Sequence, residues 1–402
     1  MRIQTLDLEP SCVAFAPDDT DHFVVGTYHL NSKTEKSDNS NAQDTPSLPQ
    51  SRSGSLILYR LQGENLITQQ TIKTDNGILD IAFSPSDYLD TGDTTTGIAA
   101  PSHRNLAVAL SGGQIVFIQL ECSPQAHWSS GCRLTNIENH QPFHESVLVL
   151  DIVWHPKRKG DLAVTLSTGE VVLCSLRRGE SNTHIQTTQL FSHSLEAWTL
   201  SFSIDGRSLY SGGDDCVFAC HDSEGADHAA LWKDRRIHGA GVTAILPILS
   251  DFSDQNDHYK EALLTGSYDD HIRVLATPTG SGKRVTVLAE LNLGGGVWRL
   301  TFIQAPSSLD SKSPGSLSLH WTILASCMYA GVRVVEVTKQ GADWDIRIVA
   351  RFEEHKSMNY GSDVRPRSAG DGPAHEIVST SFYDRLLCLW QFAQGTHQEC
   401  TE

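Results

Sequence analysis

The sequence predicts an all-β fold, a propeller of seven four-stranded blades carrying polar loop insertions. Three observations predict it. The chain holds 31 glycines in 402 residues and few long apolar helical patterns, the composition of a turn-rich β protein. One phrase recurs seven times: a small or apolar run ending in an aromatic, often before proline, then a short strand, a tight turn and another strand. Where insertions are absent, 48 residues separate Trp154 from Phe202 and 45 separate Phe202 from Pro247. These intervals are close to the roughly 40–45 residues of a WD-type blade.

The blades follow in order. The first opens with "CVAFAP" from Cys12 and continues in "GSLILYR"; the second opens with "ILDIAFSP" from Ile78 and continues in "LAVALSGGQIVFI". The third pairs "VLDIVWHP" from Val149 with "LAVTLSTGEVVLCSL", the fourth "AWTLSFSIDG" from Ala197 with "LYSGGDDCVFAC". The fifth pairs "VTAILPIL" from Val242 with "LLTGSYDDHIRVL", and the sixth "VWRLTF" from Val297 with "LASCMYAGVRVVEV". The seventh, more degenerate, begins "MNYGSDV" at Met358 and ends its third strand, in "IVSTSFYDRLLCLW", with Trp390. Its missing fourth strand is assigned to "RIQTLDL", residues 2–8, so that residues 1–402 form a single ring without exposed sheet edges. Polar segments at 31–53, 87–104, 121–143, 251–260, 304–320 and 365–375 fill the longer intervals, and 31–53 is too poor in apolar residues to offset the entropy of ordering, so it reads as a mobile loop. No helix is expected.

A net charge of −17, from 48 acidic and 31 basic residues, disfavours nucleic acid and anionic membranes as partners and favours a basic protein or a cationic ligand. No apolar run approaches a membrane span and the N-terminal residues do not read as a secretion signal, so a cytoplasmic protein, also compatible with the nucleus, is expected. Nine cysteines without CxxC pairs suggest no disulfide framework. Cys216, Cys220 and His221 in "CVFACH" are the nearest approach to a metal cluster, but strand alternation divides them between two faces, and core packing is the preferred reading. No metal or cofactor is expected, and the protein is expected to be a monomer.

Four histidines, His144, His193, His238 and His355, precede inner strands by five or six residues, and Asp215, Asp269 and Asp384 occupy tight turns. Within a repeat such a pair reads as a hydrogen-bonded brace or as an acid–base dyad. Repetition favours the brace, with His355 and Asp384 set apart by their polar and aromatic surroundings. Aligning the inner strands brings Ser11, Leu79, Leu150, Trp198, Thr243, Trp298 and Tyr360 to one position near the channel mouth. The aromatics there cap the core or form a partial cage for a quaternary ammonium. One step further in stand Asp80, Asp151, Thr199, Ala244, Arg299 and Gly361, where Arg299 completes a charge network or binds a carbonyl or carboxylate. No GxSxG, HExxH or complete phosphate-binding loop is present.

"GSYDDHIR" (266–273), "GGGVWRL" (294–300), "LASCMYAG" (324–331), "HKSMNYGSD" (355–363) and "STSFYDRLLCLW" (379–390) together resemble the WD-repeat diphthine methylesterases of diphthamide biosynthesis. The resemblance covers the last three blades, and Val364 departs from it, standing where Trp is expected. It implies a metal-independent methyl ester hydrolase acting on methylated diphthine of elongation factor 2, whose trimethylammonium group suits an aromatic rim. The implied substrate-binding residues are Trp198, Trp298, Tyr360, Gly294, Gly295 and Gly296, the glycines letting backbone approach the ligand. The implied catalytic residues are His355 as base, Asp384 as its orienting partner, and Arg299 and Tyr360 at the oxyanion, with Cys327 as an alternative nucleophile. The competing expectation is a non-catalytic adaptor that binds elongation factor 2 or another basic protein.

Overall fold

The computed structural model describes residues 1–17, 19–31, 51–85, 102–122, 131–178, 183–224, 230–254, 257–278, 284–309, 318–367 and 372–393. Among these there is no helix, and the strands form seven antiparallel sheets. The expected mobile loop lies outside the described residues from 32 to 50; at its end, Arg52–Gln62 is already a strand. The inner strands of blades one to seven are Pro10–Phe15, Ile78–Phe83, Val149–Trp154, Ala197–Phe202, Val242–Asp254, Arg299–Leu309 and Ser362–Val364. Arg2–Thr5 pairs antiparallel with Leu386–Ala393, so the first strand of the chain is the outermost strand of the seventh blade.

Each sheet is covered on both faces by its neighbours, which is why many strands read as continuous small and apolar runs rather than alternating ones. Ser208–Gly213 is buried at every position. The apolar side chains gather into seven clusters, one at each junction between consecutive blades. Between blades five and six, for example, Leu264, Ile272 and Val274 pack against Trp321, Ile323 and Val335. Between blades seven and one, Leu387 and Leu389 meet Phe15, Phe23 and Tyr59, so the ring closes through apolar contact as well as through strand pairing.

Three segments expected as insertions are partly ladder. Val242–Asp254 pairs with Asp257–Ser267, Arg299–Leu309 with Ser318–Ser326, and Cys132–His140 is the outer strand of blade two. Polar composition marks exposure, but a hairpin prolonged beyond the core still satisfies its backbone groups by pairing. The same hairpin in blade two sets Cys122 opposite Cys132, with their sulfurs directly bonded. The cysteines are therefore not all unpaired, because cross-strand register brings together two residues that sequence spacing keeps apart.

The recurring histidines and aspartates form braces inside the blades. In blade four, His193 Nδ1 lies 3.0 Å from Asp215 and Nε2 2.9 Å from the Ser211 hydroxyl, and the Ser194 amide donates to the same carboxylate. Blade seven builds a variant: His355 Nε2 meets Ser379 Oγ at 3.0 Å, Trp390 Nε1 donates to that hydroxyl at 3.1 Å, and Asp384 accepts from the Lys356 amide and the Ser357 hydroxyl. In blade five Arg273 stands between His238 and Asp269. His144 is exposed and bonds only locally, to Ser146.

Burial pushes His355 down to about 4, against the pull of Asp384, and His221 and His238 down to about 3 and 4, helped by His193 and Arg273 respectively. These histidines are neutral in the fold and become cationic near pH 6.5 when unfolded, so stability falls as pH drops from about 6.5 towards 4. Each contributes a slope of at most about 1.4 kcal/mol per pH unit. Urea midpoints should drop between pH 7 and pH 5, and the H355Q variant should show a shallower dependence.

Candidate functional site

Antiparallel pairing puts the start of every inner strand and the turn between the second and third strands at the same end of the propeller. There the inner strands share a defect. The ladder skips one residue between Pro10 and Cys12, Ile78 and Asp80, Val149 and Asp151, Ala197 and Thr199, and Val242 and Ala244. The skipped residues are Ser11, Leu79, Leu150, Trp198 and Thr243, each a β-bulge that turns one side chain out of the ladder. Trp298 stands immediately ahead of the inner strand of blade six, and Tyr360 two residues ahead of that of blade seven.

On one side of the mouth these positions are aromatic and their rings touch. Trp298 has its ring centroid 5.6 Å from Trp198 and 5.1 Å from Tyr360, and Tyr268 sits 5.8 Å from Trp298 and 6.3 Å from Trp198. The row continues from Tyr360 to Phe382 at 5.4 Å, and from Phe382 to Tyr383 and Tyr28. Trp198, Tyr268, Trp298, Tyr360 and Phe382 are half-buried, while Tyr383 is exposed. The structure thus joins the three expected aromatics and adds four that the inner-strand alignment missed. The signal for three of these is in the sequence: Tyr28, Tyr268 and Phe382 follow the small pairs Gly26–Thr27, Gly266–Ser267 and Thr380–Ser381 at the end of the second strand.

Acidic groups frame the arc. Trp198 Nε1 donates to Asp214 at 3.1 Å, and Tyr329 donates to Asp270 at 3.0 Å. Burial raises the Tyr268 hydroxyl above its usual range, with Tyr360, Asp214 and Glu196 adding to it, so it stays protonated. One residue deeper, Arg299 reaches Asp80 at 2.9 Å and Asp151 at 3.3 Å across the channel. The two carboxylates also brace their neighbours, Asp80 accepting from the Ile152 amide and Asp151 from the Leu200 amide. Burial outweighs the relief that Arg299 gives and, with the repulsion of Asp151 added, holds Asp80 well above the carboxylate range. Burial pushes Asp151 the same way, but Arg299 and hydrogen bonds overcome it and keep this carboxylate ionised. Arg299 therefore has both terminal nitrogens committed to aspartates.

The other expected catalytic residues lie elsewhere. His355 is buried inside blade seven on Ser379, and its Nδ1 has no hydrogen-bond partner, so Asp384 does not orient it by a hydrogen bond. Cys327 is fully buried and burial pushes its thiol up to about 12, which leaves no nucleophilic thiolate at neutral pH. Gly294 is exposed with a left-handed φ of 86°, capped by Asn292, but Gly295 and Gly296 are buried. Gly295 packs on the Cys327 carbonyl and Gly296 on Met328 and Tyr268, so these glycines serve chain-to-chain packing and not approach to a ligand. Cys216 sits in a turn with φ 62°, ahead of the strand that holds Cys220 and His221, and His221 bonds to Ser211.

Fold and site define a WD-type propeller with an aromatic arc on its mouth. No protein-family model matches the chain. Among solved structures, a chain of the mitotic checkpoint complex (TM-score 0.55, 16% identity, 98% of this chain and 93% of that one) and the β-propeller domain of Myceliophthora thermophila Cps50 (Swd1) (TM-score 0.55, 12% identity, 98% and 100%) share the fold. Sequence relatives are more particular. The chain is 28% identical to diphthine methyltransferase of Schizosaccharomyces pombe over 374 residues, covering 92% of this chain and 91% of that one. It is 27% identical to the Saccharomyces cerevisiae protein of that name (91% and 92%) and 25% identical to the human one (82% and 70%). These likenesses support membership of the diphthamide-pathway family. They overturn the expected hydrolase, since the relatives are named for methyl transfer, the reverse of removing a methyl ester, and they lend the adaptor reading no support.

A Cβ at Gly295 would collide with the Cys327 carbonyl, a backbone group that cannot swing aside. Gly295→Ala should therefore cost about 1–3 kcal/mol, as overpacking does, read from urea unfolding. Arg299→Met leaves the ionised Asp151 buried without its cation and should cost about 3–5 kcal/mol by the same measurement.

Proposed function

We propose that the chain recognises the diphthine side chain of elongation factor 2 at the mouth of its propeller, within the methyl-transfer step of diphthamide biosynthesis for which its relatives are named. The aromatic arc carries this reading: Trp198, Tyr268, Trp298 and Tyr360 make one continuous π surface beside acidic side chains. Diphthine bears a trimethylammonium group, a cation with no N–H to donate, which gains more from ring faces than from any single acceptor. The net charge of −17 adds attraction for a cationic substrate.

Methyl transfer also needs an electrophilic methyl donor. The described residues offer no helix N-terminus to cradle a nucleotide, and Gly295 and Gly296 are covered by Cys327 and Met328. The proposal therefore assigns residues to substrate recognition and no step to a donor.

Removing one ring that faces a desolvated cation costs about 2 kcal/mol, or roughly 30-fold in affinity. Trp298→Ala and Tyr360→Ala should each weaken binding of diphthine-bearing elongation factor 2 by roughly 10- to 30-fold in a fluorescence titration. Substitution of Trp344, stacked on Trp321 away from the mouth, should leave it unchanged. Equal affinity for elongation factor 2 with and without the trimethylammonium group would sink the recognition. Failure to move a labelled methyl group onto the factor, with binding intact, would sink the reaction alone.

A further inference from the structure

A second constellation lies away from the mouth, where blades one and two meet. Asp19 and His22 come from the turn entering the second strand of blade one, His22–Thr27. Cys122 ends the third strand of blade two and Cys132 opens the fourth, as register partners with Cα atoms 4.2 Å apart. Asp19 Oδ2 stands 3.4 Å from Cys122 Sγ, 3.2 Å from Cys132 Sγ and 2.7 Å from His22 Nδ1, and that nitrogen stands 3.4 Å from Cys132 Sγ. The four donor atoms all lie within 4.8 Å of one another.

A disulfide explains the two sulfurs but not their company. Bonded sulfurs carry no proton, so a carboxylate oxygen set against both has nothing to accept, and the imidazole nitrogen beside them gains little. Two thiolates, one imidazole and one carboxylate instead make the tetrahedral donor set that zinc takes. We propose that Asp19, His22, Cys122 and Cys132 bind a zinc ion that staples blade one to blade two. The disulfide is first opened by a thiol reductant, which is itself oxidised to a disulfide and leaves two protein thiols; zinc then displaces the two thiol protons, with the sulfurs about 3.8 Å apart, the edge of a tetrahedron with bonds of about 2.3 Å. The movement is local, because Cys122 and Cys132 are the terminal pair of their ladder.

The position suits a staple. Along the same seam the Gln70 side chain of blade one exchanges two hydrogen bonds with the Leu134 backbone of blade two, at 3.1 and 2.9 Å. Zinc there would hold the turn of blade one against the outer hairpin of blade two, where apolar packing thins towards the surface. The site is closed by four protein ligands and implies a structural ion with no open position for chemistry.

The test is metal analysis of the full chain purified under reductant without chelator. One equivalent of zinc is expected, and cobalt added to the metal-free chain should give thiolate charge-transfer and tetrahedral ligand-field bands. Cys132→Ser should abolish both, Asp19→Asn and His22→Gln should weaken zinc at least tenfold in a chelator competition, and Cys216→Ser should change neither. A wild-type chain that stays metal-free with both thiols titratable, or whose Cys122–Cys132 bond survives the reductant, would overturn the proposal. The cobalt titration needs no variant, so misfolding of Cys132→Ser leaves the question decidable.

Discussion

An unpaired residue at the head of five inner strands turns one side chain in each of those blades out of the ladder and towards the channel, and the arrangement of the mouth rests on it. A regular strand would alternate its side chains between the two apolar junctions that flank each blade. The skipped residue belongs to neither junction, so it can be chosen without disturbing the core. In blades one and five it is small and polar: Ser11 donates to the Ile78 carbonyl and Thr243 to that of Val297, which ties each strand to another blade. In blade four the same geometry presents Trp198. The scaffold is thus repetitive where it must close and variable at the mouth.

Repetition also separates brace from chemistry. His193 and Asp215 satisfy each other and Ser211 while buried, and His355, also buried, spends Nε2 on Ser379. A general base needs a free face on the reacting group. Groups placed at one repeat position to satisfy buried hydroxyls and indoles lack that face, even where neighbouring residues are unusual.

The fold was legible because propeller periodicity is one-dimensional: recurring strand phrases and their spacing specify blades, and a missing fourth strand specifies what must close the ring. The inner-strand aromatics Trp198, Trp298 and Tyr360 were legible for the same reason. Tyr28, Tyr268 and Phe382 were not picked out, because the second-strand phrases were compared only for the aspartates that follow. Gly295 was misread because close packing and ligand approach demand the same residue, and only the position of the Cys327 carbonyl tells them apart. Asp19, His22, Cys122 and Cys132 form no motif along the chain; they meet through hairpin register and a blade junction, neither of which spacing encodes.

The electrostatics of the mouth narrow the kind of cation it suits. Asp214 already accepts from Trp198, Asp270 from Tyr329 and Asp384 from Ser357. Deeper in, Arg299 is already engaged by both Asp80 and Asp151. A primary ammonium entering here would lose several strong hydrogen bonds to water and find acceptors that are already engaged. A quaternary ammonium has no such bonds to lose, is weakly hydrated, and gains from ring faces within about 6 Å. Engaged carboxylates still contribute their charge at that range, which adds to the attraction of the ring faces for a cation. Under the proposed recognition of diphthine, that combination would favour the trimethylated side chain over its unmethylated amine.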